Sequence, residues 1–169
     1  MRQVSTSGQC WRLTGTTTLG FLRGSWRAER VLSDHRSGQE GSFSGVAAFT
    51  AGPATPQGEL AYHAQGELAY HEQGELRFGG HQGPASRRLL FRPAAGGTAE
   101  VLFADGRPFY LLDLRSGCWQ AEHPCGADRY LLTVRVTGAD SFTEHWRASG
   151  SGKDYEMTTT LTRIGPRGD

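Results

Sequence analysis

The chain has 169 residues, a length suited to one domain with one core. Eighteen Lys and Arg against seventeen Asp and Glu leave a formal net charge of +1, which offers no electrostatic footprint for a nucleic-acid backbone or an anionic membrane surface. No run of about eighteen consecutive apolar residues is present to cross a bilayer, and Met1 to Gly20 is a polar stretch rich in Thr, Ser and Gly without the apolar centre of a signal peptide.

Residues 1–20 therefore read as a polar N-terminal extension, residues 21–165 as one domain and residues 166–169 as a tail. Phe21 to Leu32 reads as the first strand, with Gly24 and Trp26 near its start and Arg30 near its end. After the polar turn region Asp34 to Gly41, Ser42 to Thr50 alternates and sets Phe43, Gly45, Ala47 and Phe49 on one side.

Residues 57–78 hold an eight-residue tandem repeat. Gln57-Gly58-Glu59-Leu60-Ala61-Tyr62-His63 recurs from Gln65 to His71, and a third copy begins Gln73-Gly74-Glu75-Leu76. Fully extended, these residues would reach about 70 Å, several times an ordinary strand, so the chain is expected to turn inside them, at the Gln-Gly pairs. The extra copy then lengthens one hairpin or forms a protruding loop. Eight is even, so Leu60, Leu68 and Leu76 would share a facing in a continuous strand.

Downstream, Arg87 to Arg92 reads as a short strand, and Ala99 to Ala104 and Pro108 to Leu114 flank Asp105-Gly106, a signal for a type I′ hairpin turn. Cys118 to His123, Arg129 to Val136, Phe142 to Ala148 and Asp154 to Ile164 follow as strands, the last with Tyr155, Met157, Thr159, Leu161 and Arg163 on one face. Twenty-four glycines among short aromatic and β-branched runs predict an all-β chain with little helix, its roughly nine or ten short strands forming a barrel or sandwich. Cys10, Cys118 and Cys125 form an odd set without framework spacing, which predicts reduced thiols and a cytoplasmic protein.

Gly24-x-Trp26 in the first strand and Arg163 near the end of the last resemble the lipocalin-type arrangement in which an arginine lies over a tryptophan to close one end of the barrel, and the resemblance implies an all-β, antiparallel calycin-like (lipocalin-like) β-barrel of about 8–10 strands. The chain also resembles the domain-of-unknown-function family 6314. Shared elements are Gly24-x-Trp26-x-x-x-Arg30, Phe43-x-Gly45-x-Ala47-x-Phe49, Leu68-x-Tyr70-x-Glu72, Phe103-x-Asp105-Gly106-Arg107-x-Phe109, Leu112-Asp113-Leu114, His123-x-Cys125-x-x-Asp128-x-Tyr130 and Lys153-Asp154-Tyr155. The resemblance spans Phe21 to Arg163 and implies a barrel without implying an activity. The chain departs from the family pattern at Tyr110, where His is frequent, and at Ser149 to Gly152.

Three classes of function are compatible with this reading. In a small-molecule-binding barrel, an aromatic-lined pocket would draw on Trp146, Tyr155, Lys153, Tyr110, Cys125 and Asp113, and the partner would be a small apolar or aromatic molecule. In a cofactor-independent acid/base enzyme of isomerase, cyclase or hydratase type, His123 would be the base, supported by Asp128 and Tyr130. In a structural or interaction module the barrel would be filled by its own side chains.

Each candidate also has a plainer role. His123-x-Cys125-x-x-Asp128 could supply metal ligands, yet Pro124 and Gly126 mark a hairpin corner, and neither a metal nor a cofactor is expected. Lys153 and Asp154 would make a solvated pair if they face outward, and Asp113 a cross-strand ion pair with Arg107 or another arginine. The repeat histidines His63 and His71, with His81 nearby, could bind a metal or haem in a barrel mouth, and their plainer origin is the duplication itself. The sequence specifies no ligand, reaction or oligomeric state.

Overall fold

A computed structural model describes residues 9–52 and 66–166. A short helix α1 (Thr18–Leu22) precedes ten strands: β1 (Gly24–Asp34), β2 (Gln39–Ala51), β3 (Leu68–Phe78), β4 (His81–Pro93), β5 (Ala99–Phe103), β6 (Pro108–Leu112), β7 (Cys118–Cys125), β8 (Asp128–Gly138), β9 (Ser141–Ser149) and β10 (Asp154–Ile164). Each side of the alternation goes to one face. In β1, Trp26 and Ala28 are buried while Arg27 and Glu29 are exposed, and in β8 Leu132, Val134 and Val136 are buried between more exposed neighbours.

The strands form one antiparallel sheet in the order β6-β5-β4-β3-β2-β1-β10-β9-β8-β7. Its middle is where the chain's ends meet, with β1 paired to β10 from Ser25↔Ile164 to Asp34↔Tyr155. The free edges are β6 and β7, and side chains close that seam. Trp119 Nε1 donates to the Leu111 carbonyl at 2.6 Å and His123 Nδ1 to the Phe109 carbonyl at 3.0 Å. The result is a nearly closed barrel of ten strands, as the lipocalin-type resemblance implies.

One end is plugged. Phe21 and Leu22 belong to α1 rather than to the first strand, because Gly24, at φ 114°, breaks the chain direction and lets α1 fold into the barrel mouth. Trp26 Nε1 donates to the Leu22 carbonyl at 2.7 Å. The Arg163 guanidinium lies 4.1 Å from the Trp26 ring centroid and donates to the carbonyls of Phe21 and Arg23. Expected as a polar extension, the N-terminal segment also joins this end. Leu19 is buried, Trp11 bonds Val136, and Leu13 bonds Arg115.

Several local expectations are corrected. Cys10 and Cys118 form a disulfide, with Cα atoms 5.7 Å apart, so only Cys125 among the three is free. The disulfide replaces two of the three reduced thiols on which the expected cytoplasmic location rested. The Asp105-Gly106 turn is not type I′, which needs two positive φ values: Gly106 has one at 85° and no other kind of residue has any among those described. The Gly106 N–H instead bonds the Phe103 carbonyl in a wider loop.

Gln73-Gly74 is not a turn either. It lies in the interior of β3, where Gly74 pairs with Gly45 of β2. A Cβ on either glycine would collide with backbone across the pair and would stand 2.8 Å from the tip of the Phe43 ring, which covers both. The glycines thus let Phe43 fold flat onto the sheet. The chain does turn at Gly66, φ 94°, while the first repeat copy and the start of the second, including His63, lie outside the described residues.

Candidate ligand site

The barrel end opposite Trp26 and Arg163 is open, and a cavity of about 250 Å³ lies inside it. Its walls are Phe103 of β5, Phe109 of β6, His123 and Cys125 of β7, Tyr130 of β8, Trp146 of β9, Tyr155 and Met157 of β10 and Arg87 of β4. Tyr155 and Met157 also line an adjoining apolar recess of about 400 Å³ with Leu32, Leu76 and Phe78. One wall is a pile of rings. Phe103 and Phe109 stack at 4.3 Å, and Phe109 and Trp146 at 5.4 Å with planes 8° apart. His123 meets Phe109 edge-on at 5.0 Å, and Tyr110 supports Trp146 from its edge at 5.5 Å.

Beneath the aromatics is a charged floor. Arg30 of β1 grips both oxygens of Glu72 of β3, at 3.0 and 2.7 Å, and donates through Nε to Thr159 of β10 at 2.7 Å. The Tyr70 hydroxyl donates to Glu72 at 2.8 Å, and Arg87 reaches the Tyr70 oxygen at 3.3 Å. Burial pushes the Glu72 carboxyl up, but Arg87, Arg30 and the Tyr70 hydrogen bond outweigh it and hold the group below the usual carboxylate range. Burial also raises the hydroxyls of Tyr70 and Tyr110.

Glu144 differs from Glu72. It pairs with Val134 and Thr159, both buried, so it points inward between Phe142 and Trp146. Burial raises its carboxyl, and Arg87 and Arg30 offset this only through space, without a hydrogen bond among the described residues. Two other inward groups lack partners: Arg87 Nε and Trp146 Nε1 are buried with no hydrogen-bond partner among the described residues.

The residues expected at the site divide. His123, Cys125, Tyr130, Trp146 and Tyr155 line the cavity together. His123 and Tyr130 are cross-strand partners, but the Nδ1–H of His123 is given to the Phe109 carbonyl rather than to a carboxylate. Asp128 stands outside the cavity wall, bound at 3.3 Å by Lys153, which donates to the Tyr130 hydroxyl at 2.5 Å. Those contacts raise the Lys153 ammonium, the Tyr130 bond first. The expected Lys153–Asp154 pair is not formed, since Asp154 accepts from Arg147. Asp113 is held by Arg115 at 2.6 and 2.8 Å, while Arg107 goes to Asp105, and Tyr110 is a core residue behind Trp146. No cluster of three metal-ligating side chains occurs among the described residues, and no helix among them is long and apolar enough to cross a membrane.

Sequence reasoning passed over Arg30, Glu72, Arg87 and Glu144 as site residues. The signal was parity: each has the facing of buried apolar neighbours, Arg30 with Trp26 and Ala28, Glu72 with Leu68, Arg87 with Leu89 and Phe91, Glu144 with Phe142.

The profile of the family of unknown function DUF6314 matches residues 22–163, which takes in every strand of the barrel. The chain belongs to DUF6314. No curated protein matches this DUF6314 chain in sequence. Among solved structures it is similar to the S-type phycobiliprotein lyase CPES from Guillardia theta, with a TM-score of 0.59, 12% identity and coverage of 88% of this chain and 92% of that one. It is also similar to a protein of unknown function from the DUF3598 family of Nostoc punctiforme, with a TM-score of 0.53 and 12% identity over 95% of this chain, which spans 53% of that one. At such identities the likeness shows that this chain shares their fold.

Proposed function

We propose that this DUF6314 barrel binds a small, flat, largely apolar molecule in the cavity walled by Phe103, Phe109, Trp146 and Tyr155. The observation that carries the reading is the ring pile itself: three aromatic rings stacked in succession, with planes 25° and 8° apart, all lining a cavity of about 250 Å³ at the open barrel end. Stacked rings lined up beside empty space offer dispersion contacts to a planar guest, and a few inward polar groups would fix its orientation. A barrel filled by its own side chains would leave no such volume. An acid/base enzyme built on His123 is less well supported, because the nitrogen that a catalytic carboxylate would orient is committed to a backbone carbonyl across the β6/β7 seam. The lyase from Guillardia theta, whose fold this chain shares, is named for work on a pigment-bearing protein, in keeping with a barrel that handles conjugated molecules.

The test is mass spectrometry of the freshly purified chain under non-denaturing conditions, beside Met157→Trp, in which an indole occupies the cavity. A copurified small molecule on the parent chain, absent from the variant, supports the reading. Equal loading of both proteins overturns it.

A further inference from the structure

The cavity floor carries two donors with nothing to receive them. Trp146 is 5% exposed and Arg87 Nε is buried, yet neither the indole N–H nor the Arg87 Nε–H has a hydrogen-bond partner among the described residues. Buried donors in native folds are nearly always satisfied, and one that is not commonly awaits a water or a ligand. Both residues line the same cavity.

The surrounding charges choose the sign of what is missing. Two guanidinium groups, Arg30 and Arg87, face the interior from β1 and β4. Glu72 from β3 offsets one of them, and its oxygens are already taken by Arg30 and the Tyr70 hydroxyl. Arg87 reaches Glu72 only at 3.7 Å. The remaining acid, Glu144 from β9, is buried, which raises its carboxyl, and it makes no hydrogen bond to either guanidinium among the described residues. Two guanidinium groups therefore share one hydrogen-bonded acid.

We infer that the ligand carries an anionic oxygen, a carboxylate, seated against Arg87 and the Trp146 N–H, with its flat apolar body along the Phe103, Phe109 and Trp146 rings. This rests on the binding reading above and adds the headgroup to it. A carboxylate adds counter-charge to an arginine whose nearest acid, Glu72, stands at 3.7 Å and is shared with Arg30, and charge-assisted hydrogen bonds of this kind are the stronger class. An ammonium would face the positive charge of Arg87. A neutral amide would satisfy the donors without the charge.

Isothermal titration calorimetry of the full chain at neutral pH, with naphthalene-2-carboxylate, naphthalene-2-carboxamide and 2-naphthylmethylammonium as probes, separates these cases. The carboxylate is expected to bind about tenfold or more tightly than the amide, with the ammonium weakest. Arg87→Met should bring carboxylate and amide to within about twofold, while Arg87→Lys keeps part of the preference and Trp146→Phe loses part of it. Equal affinities for carboxylate and amide in the parent chain, or a preference for the ammonium, overturn the inference and leave the binding site standing. Failure of all three probes to bind at millimolar concentration overturns the binding reading as well. The parent-chain comparison decides the matter even if a variant does not fold.

Discussion

Arg30 and Glu72 meet inside the barrel from strands that are not neighbours. Their strands flank β2, and on the register Arg30 sits beside Phe43 while Glu72 sits beside Ala47, so the ion pair spans Gly45, the position between them that has no side chain. With side chains 12% and 3% exposed, the pair is removed from bulk water. Taking one partner away leaves an uncompensated charge in a medium that solvates it poorly.

Arg30→Met should accordingly cost about 3–5 kcal/mol in urea-induced unfolding, and Glu72→Met a similar amount. Combining them is expected to recover a large part of the loss, because two apolar chains replace a buried pair without stranding a charge. Single and double losses that simply add would show that the two residues are not coupled.

Acid should find the same pair. Since the folded-state carboxyl of Glu72 lies below its ordinary value, the stability it supplies is complete above the usual carboxylate pKa of about 4.3 and drains away as pH falls through the lowered folded value. Thermal midpoints followed by circular dichroism from pH 7 down to 3 should fall more steeply for the parent than for Glu72→Gln, with the two converging at the acid end.

Glu144 has the opposite sign. Its raised folded-state value means that it destabilises the fold as pH climbs above the ordinary carboxyl range, the cost growing until the folded value is passed. Glu144→Gln should melt higher than the parent at pH 8 and alongside it at pH 4. An equal offset at both pH values would mean that the residue acts through packing and not through its charge.

The glycine pair under Phe43 makes a steric prediction. Gly74→Val forces side-chain atoms into the β2 backbone and the Phe43 ring, at a cost of about 1–3 kcal/mol or more. Gly80→Ala is the control, since nothing lies within 4 Å of a Cβ there, and it should leave the denaturation midpoint unchanged.

Closure by disulfide spans a sequence separation of 108, long enough for a cross-link to restrict the unfolded chain by about 2–4 kcal/mol. Reducing agent should shift the urea midpoint of the parent downward and leave that of Cys10→Ser/Cys118→Ser where it is.

The barrel was readable in the sequence because its signals are local. Alternation in β2, β8 and the later part of β10 and the glycine turns between strands need no knowledge of distant partners. What escaped depends on partners. Phe21 and Leu22 resemble strand residues until Gly24 turns them into the barrel mouth, and Gln73-Gly74 resembles a turn until Gly45 is set opposite. The site divides along the same line. Aromatic wall residues such as Trp146 and Tyr155 announce themselves by type, whereas Arg30, Glu72, Arg87 and Glu144 come from four separate strands, and each alone looks like a solvated surface charge.

The duplication just upstream of β3 offers the sheet two nearly interchangeable pieces of chain. Slipped by eight residues, Leu60 would arrive at the place of Leu68, Tyr62 at that of Tyr70 and Gly66 at that of Gly74, with every facing preserved. Within Glu59 to Gly66 a single position spoils the substitution: Ala64 would come to rest where Glu72 now stands. Arg30 would then lose the acid that hydrogen-bonds it through both oxygens. One buried carboxylate is thus the tooth of the key that admits one copy of the duplicated segment and turns away its twin.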